Sequence, residues 1–402
     1  MNYLVVAESC FLDRPGGAHR VAWDVAKVMR DRGHAVTLLC YRSGPAPAGP
    51  ETLEGIDVVR FAKTELPAWH PRRLSAIIDA AGAACRQWLG GRRFDVVHVH
   101  TPLVGLGVAG ALGDGPRYVY TVHSPVVLEQ EIVWKAQGWP GRLKLLLGRG
   151  LLASVERRML ARAHRIQTLS EFTRRQLDQS YGVGSRITVV PHWYARINSG
   201  ISKADARREL GWPAEAKIFF TVRAMGPRYG LDVALKALAP LLKEHDAYFF
   251  LGGDGPWRGR LEALGKGLDS GGPAGPRIRF MGRISDRELE LAYAAADLFI
   301  LPTLALECFG LITLEAFAFG CPVLSTDAGA IPETMQPILP ELIVPAGDEL
   351  ALRAAARKFL QGGFRLPEGR ALIDYAAGRY GAAAVIPQIC ALLEAPDQAR
   401  AA

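Results

Sequence analysis

Nowhere in the 402 residues do two aspartates stand one residue apart, so the paired-carboxylate clamp that holds a divalent ion under a diphosphate is missing. The six cysteines (Cys10, Cys40, Cys85, Cys308, Cys321, Cys390) form no Cys-x-x-Cys and do not alternate with histidine at metal-ligand spacing. They point to a reducing compartment and to use as small core hydrophobes. Long apolar runs are also missing. The stretch LVGLGVAGALG falls far below the roughly 18 residues that a spanning helix needs, so the chain is not expected to cross a membrane. The opening MNYLVVAESC has no early positive charge, which argues against a secretory signal. No platform of interleaved aromatic and basic residues is visible, so nucleic acid is not an expected partner.

What is present is an ordinary globular composition, 49% hydrophobic and 22% charged, on a chain longer than one core normally supports. Two domains are therefore expected. A net charge of +8 favours anionic partners. Short β-branched runs alternate with longer amphipathic stretches. YLVVAE precedes AHRVAWDVAKVMRDRGH, in which Val21, Val25, Val28 and Met29 recur at helical spacing and Gly33 closes the helix. AVTLLCY, IDVVRF, FDVVHVH, RYVYTVH, RIQTLS and RITVV continue the series. The rhythm breaks near residue 191 and restarts with KIFFTV, AYFFLGG, RIRFMG, DLFILP, CPVLST and LIVPAG. Such alternation predicts an α/β fold of two doubly wound Rossmann-like domains, 1–195 and 196–375, with a last helix of about 376–396 returning to the first.

Ligands of doubly wound sheets bind at the carboxyl ends of strands, which directs attention to ECFGLITLE, residues 307 to 315. DLFILP reads as a buried strand, Glu307 as part of the loop after it, and Glu315 as lying about one and a half turns into a helix. Backbone N–H groups near Phe309, Gly310 and Leu311 would be unpaired helix-start donors suited to phosphate. Two glutamates at this spacing could equally be helix-surface charges. The apolar flanks, however, leave Glu315 no solvated face. A helix end supplies only about 0.3–1 kcal/mol toward an anion. Arg223 and Arg228, after the first strand of the second half, could each add a charge-assisted contact of roughly 1.5–3 kcal/mol. In the first half, Gly16 and Gly17 follow the opening strand, either as a close-approach loop or as a plain turn. His123 ends the strand YVYTVH. His98 and His100 share a strand face and read as packing or substrate contacts, not metal ligands.

Taken in order, TVRAMGPRYGLD, GGDGPWRGRLEAL, RFMGRISDRELELAYAAADLFILPT, ECFGLITLE and CPVLSTDAGAIPE resemble the second domain of the family 4 retaining glycosyltransferases. The first half agrees through RPGGAHRVAWDVAKVMRDRGHAV, FDVVHVHTP, YVYTVHS and TLSEFTRRQL. The resemblance covers nearly the whole chain. It implies the GT-B fold, with the two domains facing each other across a cleft and closing over the donor. It also implies transfer of a sugar, with retention, from a nucleotide diphosphate sugar, UDP being the commoner choice, without metal or other cofactor. Residue by residue, Glu315 matches the glutamate on the ribose hydroxyls, and Glu307 the one at the donor sugar near the reacting centre. Arg223 and Arg228 match the basic pair on the diphosphate, Gly16 and Gly17 the glycine loop under the donor, and His123 a histidine on the transferred sugar. Backbone around Gly282, Arg283 and Ile284 matches the base-recognising segment. Three departures from the family pattern stand out: Cys308 replaces a usual glycine, Arg228 followed by Tyr229 replaces a usual lysine, and Pro191, His192, Trp193 and Tyr194 replace Pro-Asn-Gly-Val-Asp.

Between Trp134 and Arg165, eight basic residues (Lys135, Arg142, Lys144, Arg149, Arg157, Arg158, Arg162, Arg165) face one acid, Glu156. Interleaved leucines make this either a helix for an anionic bilayer surface or a solvated helix face. The expected acceptor is a glycan, a lipid-linked group or a small molecule, and the expected location is cytoplasmic, in contact with the inner face of the membrane if the helix docks there. Two alternatives stand beside this. One is an epimerase or hydrolase of nucleotide sugars on the same fold. The other is an NAD-dependent oxidoreductase using GLGVAG, Gly105 to Gly110, a literal Gly-x-Gly-x-x-Gly.

Overall fold

The computed structural model describes residues 1–14, 16–67, 70, 72–198 and 200–395. The chain divides into two compact units, Met1–His192 with Val385–Ala402, and Trp193–Ala384.

In the first unit the elements run β1 (Asn2–Ser9), α1 (Gly17–Asp31), β2 (Ala35–Tyr41), β3 (Gly49–Leu53), β4 (Ile56–Phe61), α2 (Arg73–Leu89), β5 (Val96–Val99), α3 (Pro102–Leu112), β6 (Arg117–Val122), α4 (Val126–Lys135), α5 (Trp139–Arg162), β7 (Arg165–Thr168), α6 (Glu171–Tyr181) and β8 (Ile187–Val189). The sheet order is β3-β4-β2-β1-β5-β6-β7-β8. Pairing is parallel except between β3 and β4. The alternation of strand and helix does not reveal β3, because GPETL carries a proline and a glutamate and reads as a turn. It survives as an antiparallel edge strand, where a missing N–H costs no ladder bond. The central strand buries Tyr3 to Ala7 on both faces, as expected of a sheet covered by helices on each side. Arg60 on β4, 1% exposed, donates to Asp13 at 2.6 and 2.9 Å and to Glu51 at 2.6 Å, and so pins the loop that precedes Gly16.

The second unit runs α7 (Lys203–Leu210), β9 (Lys217–Val222), α8 (Leu231–Glu244), β10 (Ala247–Gly252), α9 (Arg258–Leu268), β11 (Ile278–Gly282), α10 (Asp286–Ala295), β12 (Leu298–Leu301), α11 (Leu311–Ala318), β13 (Val323–Thr326), α12 (Ile331–Met335), β14 (Ile343–Val344), α13 (Glu349–Leu360) and α14 (Gly369–Tyr380). Its six strands are all parallel, ordered β11-β10-β9-β12-β13-β14. The core is aromatic. Phe220 meets Tyr293 and Phe299 edge-on, each at 5.7 Å, and Trp212 stacks on Phe250 at 4.0 Å. Side chains cap the starts of α7, α10 and α13, the fullest being Ser285 with Glu288 in a reciprocal capping box on α10.

A final helix, α15 (Ala382–Glu394), follows α14. The expected return from about residue 376 is corrected here. Gly369–Tyr380 stays with the second unit, burying Leu372, Ala376 and Tyr380, and the chain belongs to the first unit only from Val385. Residue 396, the expected end of that helix, lies outside the described residues. Gly369–Glu394 also reaches the length and mean hydropathy of a spanning helix, which the apolar runs of the sequence do not suggest. It is two helices meeting at an extended Gly381, with their apolar faces buried.

Candidate active site

In the second unit β9 lies between β10 and β12, so successive connections leave the sheet in opposite directions on either side of the β9–β12 pair. Loops diverge there and open a crevice outside the strand ends. Arg223 begins the loop after β9, and Glu307 lies in the loop after β12. The two loops touch at Gly230, whose φ is +66° and where a Cβ would stand 1.8 Å from the Pro302 carbonyl oxygen, a position only glycine fills. The Leu304 N–H donates to the Arg228 carbonyl at 2.8 Å and ties them further.

The sequence-predicted cations are brought together. Arg223 donates through Nη2 to Glu307 Oε2 at 2.6 Å. Arg228 donates to the Leu306 carbonyl at 2.6 Å and to the Tyr229 hydroxyl at 3.1 Å. Both guanidiniums lie over the Tyr229 ring, 4.6 and 4.8 Å from its centre, and the negative π-face offsets part of their mutual repulsion. Leu306, between these contacts and Glu307, holds φ +55°, a left-handed backbone that costs a leucine roughly 1–2 kcal/mol.

Gly310, φ +84°, turns the chain into α11. Cys308 and Phe309 are buried, with Phe309 edge-on to Tyr380 at 6.0 Å, and Leu311 is half-buried. Glu315 is 9% exposed. Its Oε1 accepts from Arg196 Nη1 at 2.7 Å and its Oε2 from the Tyr293 hydroxyl at 3.1 Å. These partners explain how a carboxylate survives in so apolar a stretch. Neither has a local pattern in the sequence. Arg196 falls in the irregular stretch after residue 191, where it also pairs with Asp286, and Tyr293 is one aromatic in an alanine run.

The three remaining second-unit positions sit differently. Gly282, φ +71°, accepts at its carbonyl from the Gly253 N–H at 2.7 Å, and Ile284 is half-buried beside Gly252. The Arg283 side chain is 86% exposed and donates to Asp254 at 3.2 Å. The Gly255 N–H, followed by the Arg283 guanidinium, holds Asp254 below the usual carboxylate range. Residues 252–254 in turn accept from the Arg223 and Met225 N–H groups, so the 282–284 backbone is one layer from the arginine loop.

In the first unit β1 lies between β2 and β5, and the candidates follow the ends of β1 and β6, which flank β5. Gly16 caps α1 with an extended φ of 171°, a conformation that does not require glycine, and a side chain at Gly17 would meet open space. His123 follows β6. It shares a 2.9 Å hydrogen bond with His100, which lies 3.3 Å from His98. No group of three or more His, Cys, Asp or Glu side chains poised for a metal occurs among the described residues.

Two of the three glycines of GLGVAG are accounted for by packing, and a Cβ on Gly110 would meet nothing within 4 Å. All three fall inside α3, where a Cβ on Gly105 would lie 2.5 Å from Val99 and one on Gly107 2.2 Å from the Ile78 carbonyl oxygen of α2. A dinucleotide fingerprint must sit in the strand-to-helix turn to present N–H groups to a pyrophosphate. Here the glycines lie inside the helix, Gly105 packed on β5 and Gly107 on α2, and the oxidoreductase alternative is withdrawn on that ground.

Comparison with known proteins agrees with this geometry. The family described as Glycosyltransferase Family 4 matches residues 15–194, and that described as Glycosyl transferases group 1 matches residues 215–362. Phosphatidyl-myo-inositol mannosyltransferase of Mycobacterium leprae is 28% identical over 349 residues, covering 85% of this chain and 83% of its own. Among solved structures, sucrose-phosphate synthase from Thermosynechococcus elongatus superposes with a TM-score of 0.77 at 21% identity, over 97% of this chain and 98% of that one. Anabaena HepE in complex with UDP and glucose gives 0.70 at 18% identity, over 96% and 97%. With both halves matched in chain order and the fold shared along its length, the protein belongs to glycosyltransferase family 4 and has the GT-B fold.

Proposed function

We propose that this glycosyltransferase moves a hexose, with retention at the anomeric carbon and without a divalent ion, from a nucleoside diphosphate sugar, UDP foremost, to a lipid-linked or polyol acceptor. The observation that carries it is the pair of guanidiniums on Tyr229 beside Glu307. Two fixed cations at a strand-end crevice stabilise a departing diphosphate as the sugar becomes oxocarbenium-like. The donors at the start of α11 add to this, and Glu315 takes the ribose hydroxyls. The 282–284 backbone recognises the base, and Gly16, Gly17 and His123 serve the sugar. A leaving-group oxygen receives the acceptor proton on the same face. HepE's complex with UDP supports the donor class, and the mannosyltransferase relative supports an inositol-type acceptor.

The acceptor reading includes a membrane contact. The first half of α5 exposes Trp139, Leu143, Leu146, Leu147 and Leu151, with Arg142, Lys144 and Arg149 exposed among them, while its second half is buried through Leu152, Val155 and Met159. Half a helix that leaves five large apolar side chains exposed and carries basic residues suits an anionic bilayer surface.

The test is a thermal-shift screen with UDP, GDP and ADP, followed by product analysis with and without EDTA. An α-linked product from an α-linked donor, formed equally in EDTA, is expected. An inverted product, or activity lost to EDTA and restored by magnesium, overturns the mechanism. Arg223→Ala should lower kcat about 100-fold or more while donor KM changes little. Pelleting with anionic vesicles, lost in a Leu146→Ser, Leu147→Ser variant, checks the membrane contact. Equal pelleting with neutral vesicles contradicts it.

A further inference from the structure

A chain of buried hydrogen bonds runs behind His123, and its direction can be read from one end. Gln167 Nε2 lies 3.0 Å from the Val190 carbonyl oxygen, which can only accept, so the amide nitrogen faces that carbonyl and Oε1 faces Thr121 at 2.7 Å. Oε1 can only accept, so the Thr121 hydroxyl donates to it. The hydroxyl therefore receives from its other neighbour, His98 Nε2, at 2.7 Å, and that nitrogen carries a proton. An uncharged His98 then has a bare Nδ1, which accepts from His100 Nε2–H at 3.3 Å. By the same step His100 Nδ1 is bare and accepts from His123 Nε2–H at 2.9 Å.

Each step requires neutral rings. His98 is 1% exposed and His100 8%, and among the described residues no carboxylate hydrogen-bonds to any of the three. Burial pushes His98 down to about 3. Burial also holds His123 down to about 3, with His192, His98 and His19 adding to it, and His100 falls well below the usual histidine range for the same reasons.

We infer that Gln167 and Thr121 are positioning residues that fix the tautomer of His123, through His98 and His100, so that His123 meets its ligand with a bare Nδ1. That atom has no protein partner among the described residues, and His123 itself is half-buried. A lone pair at this point accepts from a hydroxyl and repels a phosphate oxygen. The relay thus sorts donor groups by chemistry: a sugar hydroxyl fits at His123 and an anionic group does not. This rests on the proposal that His123 meets the transferred sugar, and it supplies what that proposal lacks, the sense of the hydrogen bond.

Protein labelled with 15N in its histidine rings provides the test, since long-range correlations separate protonated from bare ring nitrogens. The wild type should show Nε2–H and bare Nδ1 for residues 98, 100 and 123. Thr121→Val should mix the tautomers and lower kcat/KM with the nucleotide sugar roughly tenfold, and Thr121→Ser should restore both, the magnitude being that of a lost orienting contact. A proton on His123 Nδ1 in the wild type, or unmixed tautomers in Thr121→Val, overturns the inference. A deoxy-sugar donor lacking the recognised hydroxyl should bind wild type and His123→Phe alike. If every deoxy donor instead favours the wild type over His123→Phe by the same factor as the parent sugar does, while the tautomers are as stated, it is the sugar contact that fails and not the relay.

Discussion

Glu315 shows at residue scale how much of a site a sequence can carry. Its apolar flanks mark it as buried, and the loop-helix pattern puts Glu307 and Arg223 at strand ends, so these placements are legible in the sequence. Arg196 and Tyr293, which hold the Glu315 carboxylate, are not, because each is joined to it across a long gap in sequence and neither has a local pattern. The same holds for Thr121 and Gln167, ordinary strand residues until the relay is seen. The Arg196 pair yields a prediction. Both side chains are mostly buried, at 14% and 11% exposed, so breaking the pair leaves a charge with little water. Arg196→Met should destabilise the protein by about 3 kcal/mol, and adding Glu315→Leu should recover much of that. Denaturant midpoints of the two singles and the double measure it, and additive losses would show that the contact has no energetic weight.

At the scale of single elements the sequence was most misleading where composition imitates a motif. Gly105, Gly107 and Gly110 spell a cofactor fingerprint, yet only the first two are crowded, while Gly110 has nothing within 4 Å. Gly107→Ala should therefore cost several kcal/mol, since the methyl meets the Ile78 carbonyl, whereas Gly110→Ala should be neutral or stabilising by up to about 1 kcal/mol. Thermal midpoints that fall equally for both would refute packing as the reason for the motif. Helix α5 offers a second case. Its single acid was read only as an exception in a basic run, but Glu156 is fully buried and accepts from the Val126 N–H at 3.1 Å and the Tyr181 hydroxyl at 2.8 Å. Burial, only partly opposed by those hydrogen bonds, raises it from 4.5 to about 7. The folded state thus binds the extra proton between these values. Stability from this group is fully present below about pH 4.5 and is lost as pH rises through about 7. Glu156→Gln should flatten unfolding free energy across that window, and an unchanged slope removes the claim.

For the whole molecule, the alternation of strand and helix predicted both sheets, because a parallel sheet buried on two faces must be built from apolar runs joined by helices. The edge strand β3 and the point of return near residue 385 escaped it, since neither depends on that rhythm. The return has its own logic. On α15, Val385, Ile389, Cys390, Leu392 and Leu393 are buried, and Glu394 accepts from Arg32 Nε and Nη2 at 2.7 and 2.8 Å and pairs with His34 at 3.0 Å. Arg117 donates to the Leu393 and Ala395 carbonyls, and Arg165 to the Leu392 carbonyl at 2.8 Å. Arg117 and Arg165 open β6 and β7, so α15 seals the amino edge of the first sheet, opposite the carboxyl edge where Gly16 and His123 lie. Removing it uncovers an apolar strip and takes carbonyl acceptors from two arginines without touching either candidate ligand edge. A chain ending at Gly381 should lose hydrogen-exchange protection in β1, β6 and β7 while β9, β10 and β12 keep theirs, and its nucleotide-induced thermal shift should survive in the second unit. Equal loss of protection in both sheets would mean that the units do not fold as separable bodies, and that α15 stabilises more than the edge it covers.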